Sequence, residues 1–360
     1  MMEKKKVLHI VEAFGGGVYT FMEALVNGMA KDFDVTVAYA LRSQTPEDFK
    51  ERFDDSVKFI LVENFTRSIS LVKDLRALSE IRQIIKQVQP DVIHLHSSKA
   101  GVLGRLGVNC KKYKVYYTPH GYAFLKQDDS GLKRKIYEWI EWICARTRST
   151  VVAVSKGEYE ATLKLTSRAT YINNGIDMKH LSAMAGESSN AEKSAKDKLK
   201  IGTIGRVCYQ KNPSFFNAVA EKFPEHEFVW VGEGELLGEL TSLNISVTGW
   251  MDRSKTMQLL QEMDVFLLPS LWEGLPISLL EAMFLKKICI VSNVIGNRDV
   301  IKSGVNGFVG DSVEDFVSVI QDILDGKIDT VQIANNAYED VLREYNTEVM
   351  VQKYKELYRA

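Results

Sequence analysis

The chain has 360 residues, ordinary apolar and charged fractions, and a formal net charge of −1. That length exceeds what one hydrophobic core comfortably supports, so two domains are expected. The near-neutral charge argues against a nucleic-acid binder, which would need a basic surface. Unremarkable Gly and Pro contents argue against extended disorder. The cysteines (Cys110, Cys144, Cys208, Cys289) are scattered without a Cys-x-x-Cys pair, which reads as a reduced cytoplasmic protein and not a disulfide or zinc scaffold.

At the N-terminus, Lys4-Lys5-Lys6 precedes the apolar run Val7–Val11. The run is too short for a signal peptide and Glu12 ends it, so it reads as a buried first strand. No apolar stretch is long enough to span a bilayer, and any work at a membrane would be done from its surface. Gly15-Gly16-Gly17 then leads into a helix around Thr20–Lys31. Consecutive glycines let backbone amides approach an anion closely, although a flexible strand–helix turn fits them equally well. Asp32-Phe33-Asp34 comes before the strand Val35–Ala40 and reads as a solvated turn. Leu71, Leu75, Leu78, Ile81 and Ile85, at steps of three and four with cations between, predict an amphipathic helix that Pro90 ends.

Strands follow at Asp91–Leu95, Val115–Thr118 and Val151–Val154. His120 stands just past the second of these, where a lone histidine is most often satisfied by backbone. Between them, Leu132, Ile136, Trp139, Ile140 and Ile143 form a helical stripe beside Lys133-Arg134-Lys135. Packing on the sheet is favoured, since Glu138 and Glu141 dilute the positive face; docking on anionic lipid is the second reading. Ser155, Lys156 and the segment Asn173–Asp177 read as supporting architecture. Residues 182–199 are small, polar and charged without an apolar period, and are the expected linker.

The alternation then restarts with strands at Lys200–Gly205, Glu227–Val231, Asn244–Thr248, Val265–Leu268 and Ile288–Val291. Strands separated by helices imply βαβ units and a parallel sheet in each half. Gly205-Arg206, with Lys211 five residues after the arginine, follows the first of these strands. Arg can grip two phosphate oxygens at once and Lys supplies a compact charge. After the Val265 strand comes Ser270–Glu281, with Glu273 in the loop, Pro276 just inside the expected helix, and Glu281 within it. A helix start offers free amides and a positive dipole end to an anion. The last segment, Glu348–Arg359, reads as a helix.

Glu273-Gly274-Leu275-Pro276 with Glu281, preceded by Gly205-Arg206 and Lys211, resembles the signature of the GT4-type retaining glycosyltransferases (glycosyl transferases group 1). The resemblance covers nearly the whole chain. It implies an α/β GT-B fold of two Rossmann-like, doubly wound parallel-sheet domains facing across a cleft. The boundaries expected are 1–181 for an acceptor-binding domain, 182–199 for the linker, 200–345 for the nucleotide-sugar donor domain, and 346–360 for a helix that crosses back to the first domain.

The resemblance implies transfer of a sugar, UDP-sugar favoured, to a hydroxyl of a glycan or undecaprenyl-linked glycan in bacterial polysaccharide synthesis. Glu273 and His120 would position the donor sugar, and Arg206, Lys211, Gly16 and Gly17 would bind its diphosphate. Glu281 would hold the ribose, and the Gly274, Leu275, Pro276 and Ile277 backbone would contact sugar or phosphate. Gly232 and Trp250 would enclose the base. No cofactor and no metal are implied, since Arg206 and Lys211 stand in for a divalent ion, and Asp32-Phe33-Asp34 precedes its strand where a metal motif would follow one. A cytoplasmic enzyme with peripheral contact to the inner membrane face, and without nucleic-acid partners, is the expectation. A nucleotide-sugar 2-epimerase of the same fold and a catalytically silent nucleotide-sugar-binding scaffold are the alternatives.

Overall fold

The computed structural model describes residues 4–42, 44–66, 70–126, 130–185 and 198–360. It divides into two compact units, residues 1–175 with 347–360, and residues 176–346.

The first unit holds β1 (Lys6–Val11), α1 (Gly16–Met29), β2 (Asp34–Tyr39), β3 (Lys58–Leu61), α2 (Leu71–Val88), β4 (Val92–His96) and α3 (Ser98–Gly107). It continues with β5 (Lys114–Thr118), α4 (Gly131–Cys144), β6 (Thr150–Ala153), α5 (Lys156–Leu163) and β7 (Ala169–Tyr171). The strands form one parallel sheet in the order β3-β2-β1-β4-β5-β6-β7. Alternation along β1 explains the two apolar layers. Val7 and Val11 join one core with Phe21, Met22 and Leu25 of α1, whereas Leu8 and Ile10 join another with Ala77 and Ile81 of α2. Each fully buried side chain of this size contributes about 1.5–3 kcal/mol. The helix expected near Thr20 begins instead at Gly16, so Gly16 and Gly17 are its exposed first residues.

The second unit runs α6 (Met178–Ala185), β8 (Lys200–Ile204), α7 (Pro213–Ala220), β9 (Glu227–Val231), β10 (Ile245–Val247), α8 (Arg253–Glu262) and β11 (Val265–Leu268). It ends with α9 (Ile277–Phe284), β12 (Ile288–Ser292), α10 (Asn297–Val300), β13 (Phe308–Gly310), α11 (Val313–Leu324) and α12 (Thr330–Glu344). Its parallel sheet has the order β10-β9-β8-β11-β12-β13. Phe216, Phe228, Trp230, Leu267 and Phe316 centre its core. The division falls at Gly175, earlier than the 181 expected, because α6 packs against α8. Residues 186–197 of the expected linker lie outside the described residues.

The last helix, α13 (Thr347–Arg359), belongs to the first unit, where Met350, Val351, Tyr354 and Tyr358 enter the core beneath α1. Asp32 does lie in a partly exposed turn, and it is anchored there by Lys355 at 2.6 Å and Arg359 at 2.7 Å. Asp34 pairs with Lys58 at 2.8 Å on the neighbouring strand.

Candidate functional site

In the second unit the loops at the carboxyl ends of β8, β9, β11 and β12 converge, as a parallel α/β sheet requires of its ligand site. Trp230 donates its indole N–H to the Gly205 carbonyl at 2.8 Å, fixing the turn after β8. Gly232, with φ +142°, passes so close that a Cβ there would lie 2.2 Å from the Gly205 oxygen. Gly296, with φ +86°, is pressed likewise against Gly274, with a Cβ falling 2.4 Å from its oxygen. Two further bonds lace the β8 loop to the β11 loop. Gln210 Nε2 donates to the Trp272 carbonyl at 2.9 Å, and Leu271 N–H donates to the Gln210 carbonyl at 2.8 Å.

This lacing brings Lys211 and Glu273 together. Lys211 Nζ lies 2.6 Å from Glu273 Oε1, with side-chain exposures of only 16% and 8%. Arg206 stands apart and partly exposed, 3.9 Å from Glu235. Pro276 is the residue before the first turn of α9, one earlier than expected, and its carbonyl accepts from Leu279 and Leu280. The amides of Ile277 and Ser278 therefore lie outside the helix's own bonding. Glu281 is buried on α9 and forms a short ion pair with Arg253, the first residue of α8. Trp250 is largely exposed beyond β10, beside Gly249, which bridges Gly232.

In the first unit the amides at the start of α1 come from Gly16 and Gly17. His120, past β5, takes a left-handed backbone (φ +54°). Glu158 of α5 holds that turn: its carboxylate accepts from Gly121 N–H at 2.7 Å and Val154 N–H at 2.8 Å. Ser155 caps the same helix, accepting from Glu158 N–H at 3.2 Å. The His120 ring meets Phe21 edge-on at 4.8 Å, and its Nε2 lies 3.1 Å from His96 Nδ1. Burial holds His120 far below the usual histidine range, at about 3, so the ring is neutral.

Sequence reasoning missed Arg253 and Glu158, and also the grouping of His9, His94 and His96, whose nitrogens lie within 4.8 Å of one another. The signal for that grouping was present, since His94 and His96 alternate on one strand and so share a face. Every one of these nitrogens except His9 Nε2 is already engaged. His94 is bonded to the Tyr358 and Thr118 hydroxyls, and His96 to His9 and His120.

The stripe on α4 packs only in part: Ile140 and Ile143 are half-buried, but Leu132, Ile136 and Trp139 are exposed, at 72%, 47% and 61%, and so is neighbouring Trp142, at 43%. The helix is held instead by a buried ion pair at 2.7 Å between Glu141 and Arg105 of α3, with the Tyr117 hydroxyl donating to Glu141 at 3.0 Å. Among the described residues no helix is long and apolar enough to cross a membrane.

Two parallel α/β units with polar loops gathered at the strand ends are the arrangement in which such sheets hold their ligands; which ligand is indicated by comparison with known proteins. Glycosyltransferase Family 4 matches residues 15–180, and Glycosyl transferases group 1 matches residues 185–340. A UDP-Gal:alpha-D-GlcNAc-diphosphoundecaprenol alpha-1,3-galactosyltransferase of Escherichia coli is 30% identical over 85% of this chain and 84% of its own. An N,N'-diacetylbacillosaminyl-diphospho-undecaprenol alpha-1,3-N-acetylgalactosaminyltransferase of Campylobacter jejuni is 22% identical over 96% of each chain. The chain belongs to the group 1, GT4-type glycosyltransferases. Its GT-B fold is shared with sucrose-phosphate synthase from Thermosynechococcus elongatus (TM-score 0.82, 17% identity, 99% and 98% of the chains covered). The Anabaena Alr3699/HepE protein, in complex with UDP and glucose, is also similar (TM-score 0.79, 16% identity, 99% and 100% covered).

Proposed function

We propose that this glycosyltransferase moves a sugar from a UDP-sugar, with retention and without a metal, to a hydroxyl of an undecaprenyl-linked glycan. The observation that carries the reading is the pair of buried carboxylates flanking the start of α9, each matched to a cation: Glu273 to Lys211 and Glu281 to Arg253. Departure of a nucleoside diphosphate builds negative charge, which cations beside the amides at a helix start stabilise. Lys211, Arg206 and the Ile277 amide serve that charge, together with Gly16 and Gly17. Glu281 accepts from the ribose hydroxyls, oriented by Arg253. Glu273 and His120 orient the sugar, and Trp250 with Gly232 borders the base. Attack on the face from which the diphosphate leaves needs no protein nucleophile. The names of the Escherichia coli and Campylobacter jejuni relatives support a lipid-linked acceptor.

The exposed α4 face supports peripheral contact with the cytoplasmic face of a membrane, with Trp139 and Trp142 at the headgroups and Lys133, Arg134 and Lys135 beside anionic lipid. The deciding experiment is thermal stabilisation by UDP, GDP, ADP and CMP, each with magnesium and with EDTA. At a hundred times Kd a ligand adds about 2.7 kcal/mol. A shift with UDP that EDTA leaves unchanged and Lys211→Ala removes supports the reading. A shift that requires magnesium defeats its metal-free part. No shift with any nucleotide brings the silent scaffold forward, and turnover of a UDP-sugar without acceptor brings the epimerase forward.

A further inference from the structure

Four of the six histidines in the chain stand on one face of the first unit's sheet. His9 of β1 lies opposite His94 of β4 in the register, and His96 and His120 carry the row toward the carboxyl end. Three of them form a continuous line. His9 Nδ1 is 3.0 Å from His96 Nε2, and His96 Nδ1 is 3.1 Å from His120 Nε2. His94 lies beside the line, its Nε2 2.8 Å from Thr118 Oγ1 and its Nδ1 on the Tyr358 hydroxyl. The inner end is blind: among the described residues His9 Nε2 is buried without a partner. At the outer end the His120 ring is half-buried, and no hydrogen bond within the described residues engages its Nδ1.

A neutral imidazole has one N–H and one bare nitrogen. Each N···N contact needs one proton between its rings, so the tautomer of one ring dictates the next. The line therefore has two ordered states. With every proton on Nε2, His9 buries an N–H that meets no acceptor. With every proton on Nδ1, His9 buries only a bare lone pair, and under-satisfied buried acceptors are better tolerated than orphaned donors. We propose that the histidine line locks His120 as the Nδ1–H tautomer, so that it presents a hydrogen-bond donor, and not a base, to an oxygen of the bound sugar nucleotide. His9 and His96 are then positioning residues acting through His120. Burial keeps the rings neutral, which the locked state requires. The inference rests on the reading that His120 meets the donor sugar.

The test is two-bond proton–nitrogen correlation on the full protein labelled with 15N at histidine, without ligand. The expected spectrum has a protonated Nδ1 and a bare Nε2 for His120, assigned by its loss in His120→Ala. A protonated Nε2, an imidazolium, or metal-shifted nitrogens with stoichiometric metal would overturn the proposal. In the second arm, His9→Phe removes the first donor of the line, and His9→Asn can restore an N–H at that place. Transfer should fall about fivefold in His9→Phe, the cost of one neutral hydrogen bond, recover in His9→Asn, and leave UDP affinity unchanged in both. Equal rates in both variants would also count against the proposal. Where His9→Phe fails to fold, the wild-type spectrum alone decides. A correct tautomer with wild-type transfer in His120→Ala would instead overturn the placement of His120 at the sugar, leaving the tautomer lock standing.

Discussion

Lys211 Nζ and Glu273 Oε1 lie 2.6 Å apart across the mouths of two loops, both side chains largely removed from water. The cation that would neutralise a departing diphosphate is thus held by the carboxylate that would face the sugar. An incoming diphosphate must compete with Glu273 for it. Glu273→Gln removes the competitor, so UDP should bind more tightly while transfer slows. Lys211→Ala leaves a buried carboxylate unpaired and should lower unfolding stability by about 3 kcal/mol. Adding Glu273→Gln to Lys211→Ala should restore most of that loss. Calorimetric titration with UDP and urea unfolding of the three variants check this; weaker UDP binding by Glu273→Gln would refute the competition.

Arg253 and Glu281 make the second pair, and here cation and carboxylate cooperate. Glu281 is buried on α9 with Arg253 against it, leaving its other oxygen for a ligand hydroxyl. Hydrogen bonds to a charged group are worth about 1.5–3 kcal/mol. Glu281→Ala should therefore weaken UDP by that amount and abolish its preference over 2′-deoxy-UDP. Arg253→Ala should weaken both nucleotides less and keep a reduced preference. Equal preference in Glu281→Ala and wild type would move the ribose elsewhere.

The histidine line makes the first unit sensitive to acid. Burial holds His9 and His120 at about 3, and burial with neighbouring imidazoles holds His94 and His96 well below the usual range. A histidine depressed in the folded state contributes stability that is complete above its unfolded pKa of about 6.5 and is lost as pH falls toward the folded value. Each ring should remove about 1.4 kcal/mol per pH unit within that window. The urea midpoint should drop steeply from pH 6.5 to pH 5, and His94→Gln should make the slope shallower. A midpoint that stays level between pH 7 and 5 would mean the rings are not buried neutral.

The parallel sheets were legible because fully buried strands such as Val265–Leu268 are uninterrupted apolar runs between helical periods. Their exact partners were not, since pairing is long-range. Lys211 and Glu273 could each be named from local motifs, but nothing local tells that their side chains meet. Arg253 carried no local signal: it follows the helix-capping Asp252 and looks like any surface cation. The α4 stripe was misjudged for a different reason. Apolar period reports which residues share a face, not whether a sheet covers it, and the charge read as diluting the outer surface, Glu141, is the one buried against Arg105.

That uncovered face should bind lipid. Trp139→Glu with Trp142→Glu should reduce co-sedimentation with vesicles containing anionic lipid by tenfold or more, at about 2 kcal/mol for losing two apolar anchors. Folding stability should change by less than about 0.5 kcal/mol, as for exposed positions generally. High salt should weaken wild-type binding through Lys133, Arg134 and Lys135. Undiminished sedimentation of the double variant would leave α4 without a membrane role.

The C-terminal helix supplies a separate test of how the first unit is completed. Asp32 accepts hydrogen bonds from Lys355 and Arg359, and the bond from Lys355, with the charges of both, holds its carboxyl below the usual 3.8. A depressed carboxylate contributes stability that is complete above the unfolded pKa and is lost as pH falls through the folded one. Asp32→Asn should therefore lower the urea midpoint at neutral pH, and the gap from wild type should close only below the ordinary carboxylate range. The acid loss from the histidines begins well above that range, so the two effects separate on one pH series. Hydrogen exchange should show the cost concentrated in α13, where Tyr354 and Tyr358 sit in the core and Asp32 ties down the last turn. Exchange that quickens evenly across the unit would show that α13 opens only with the whole fold.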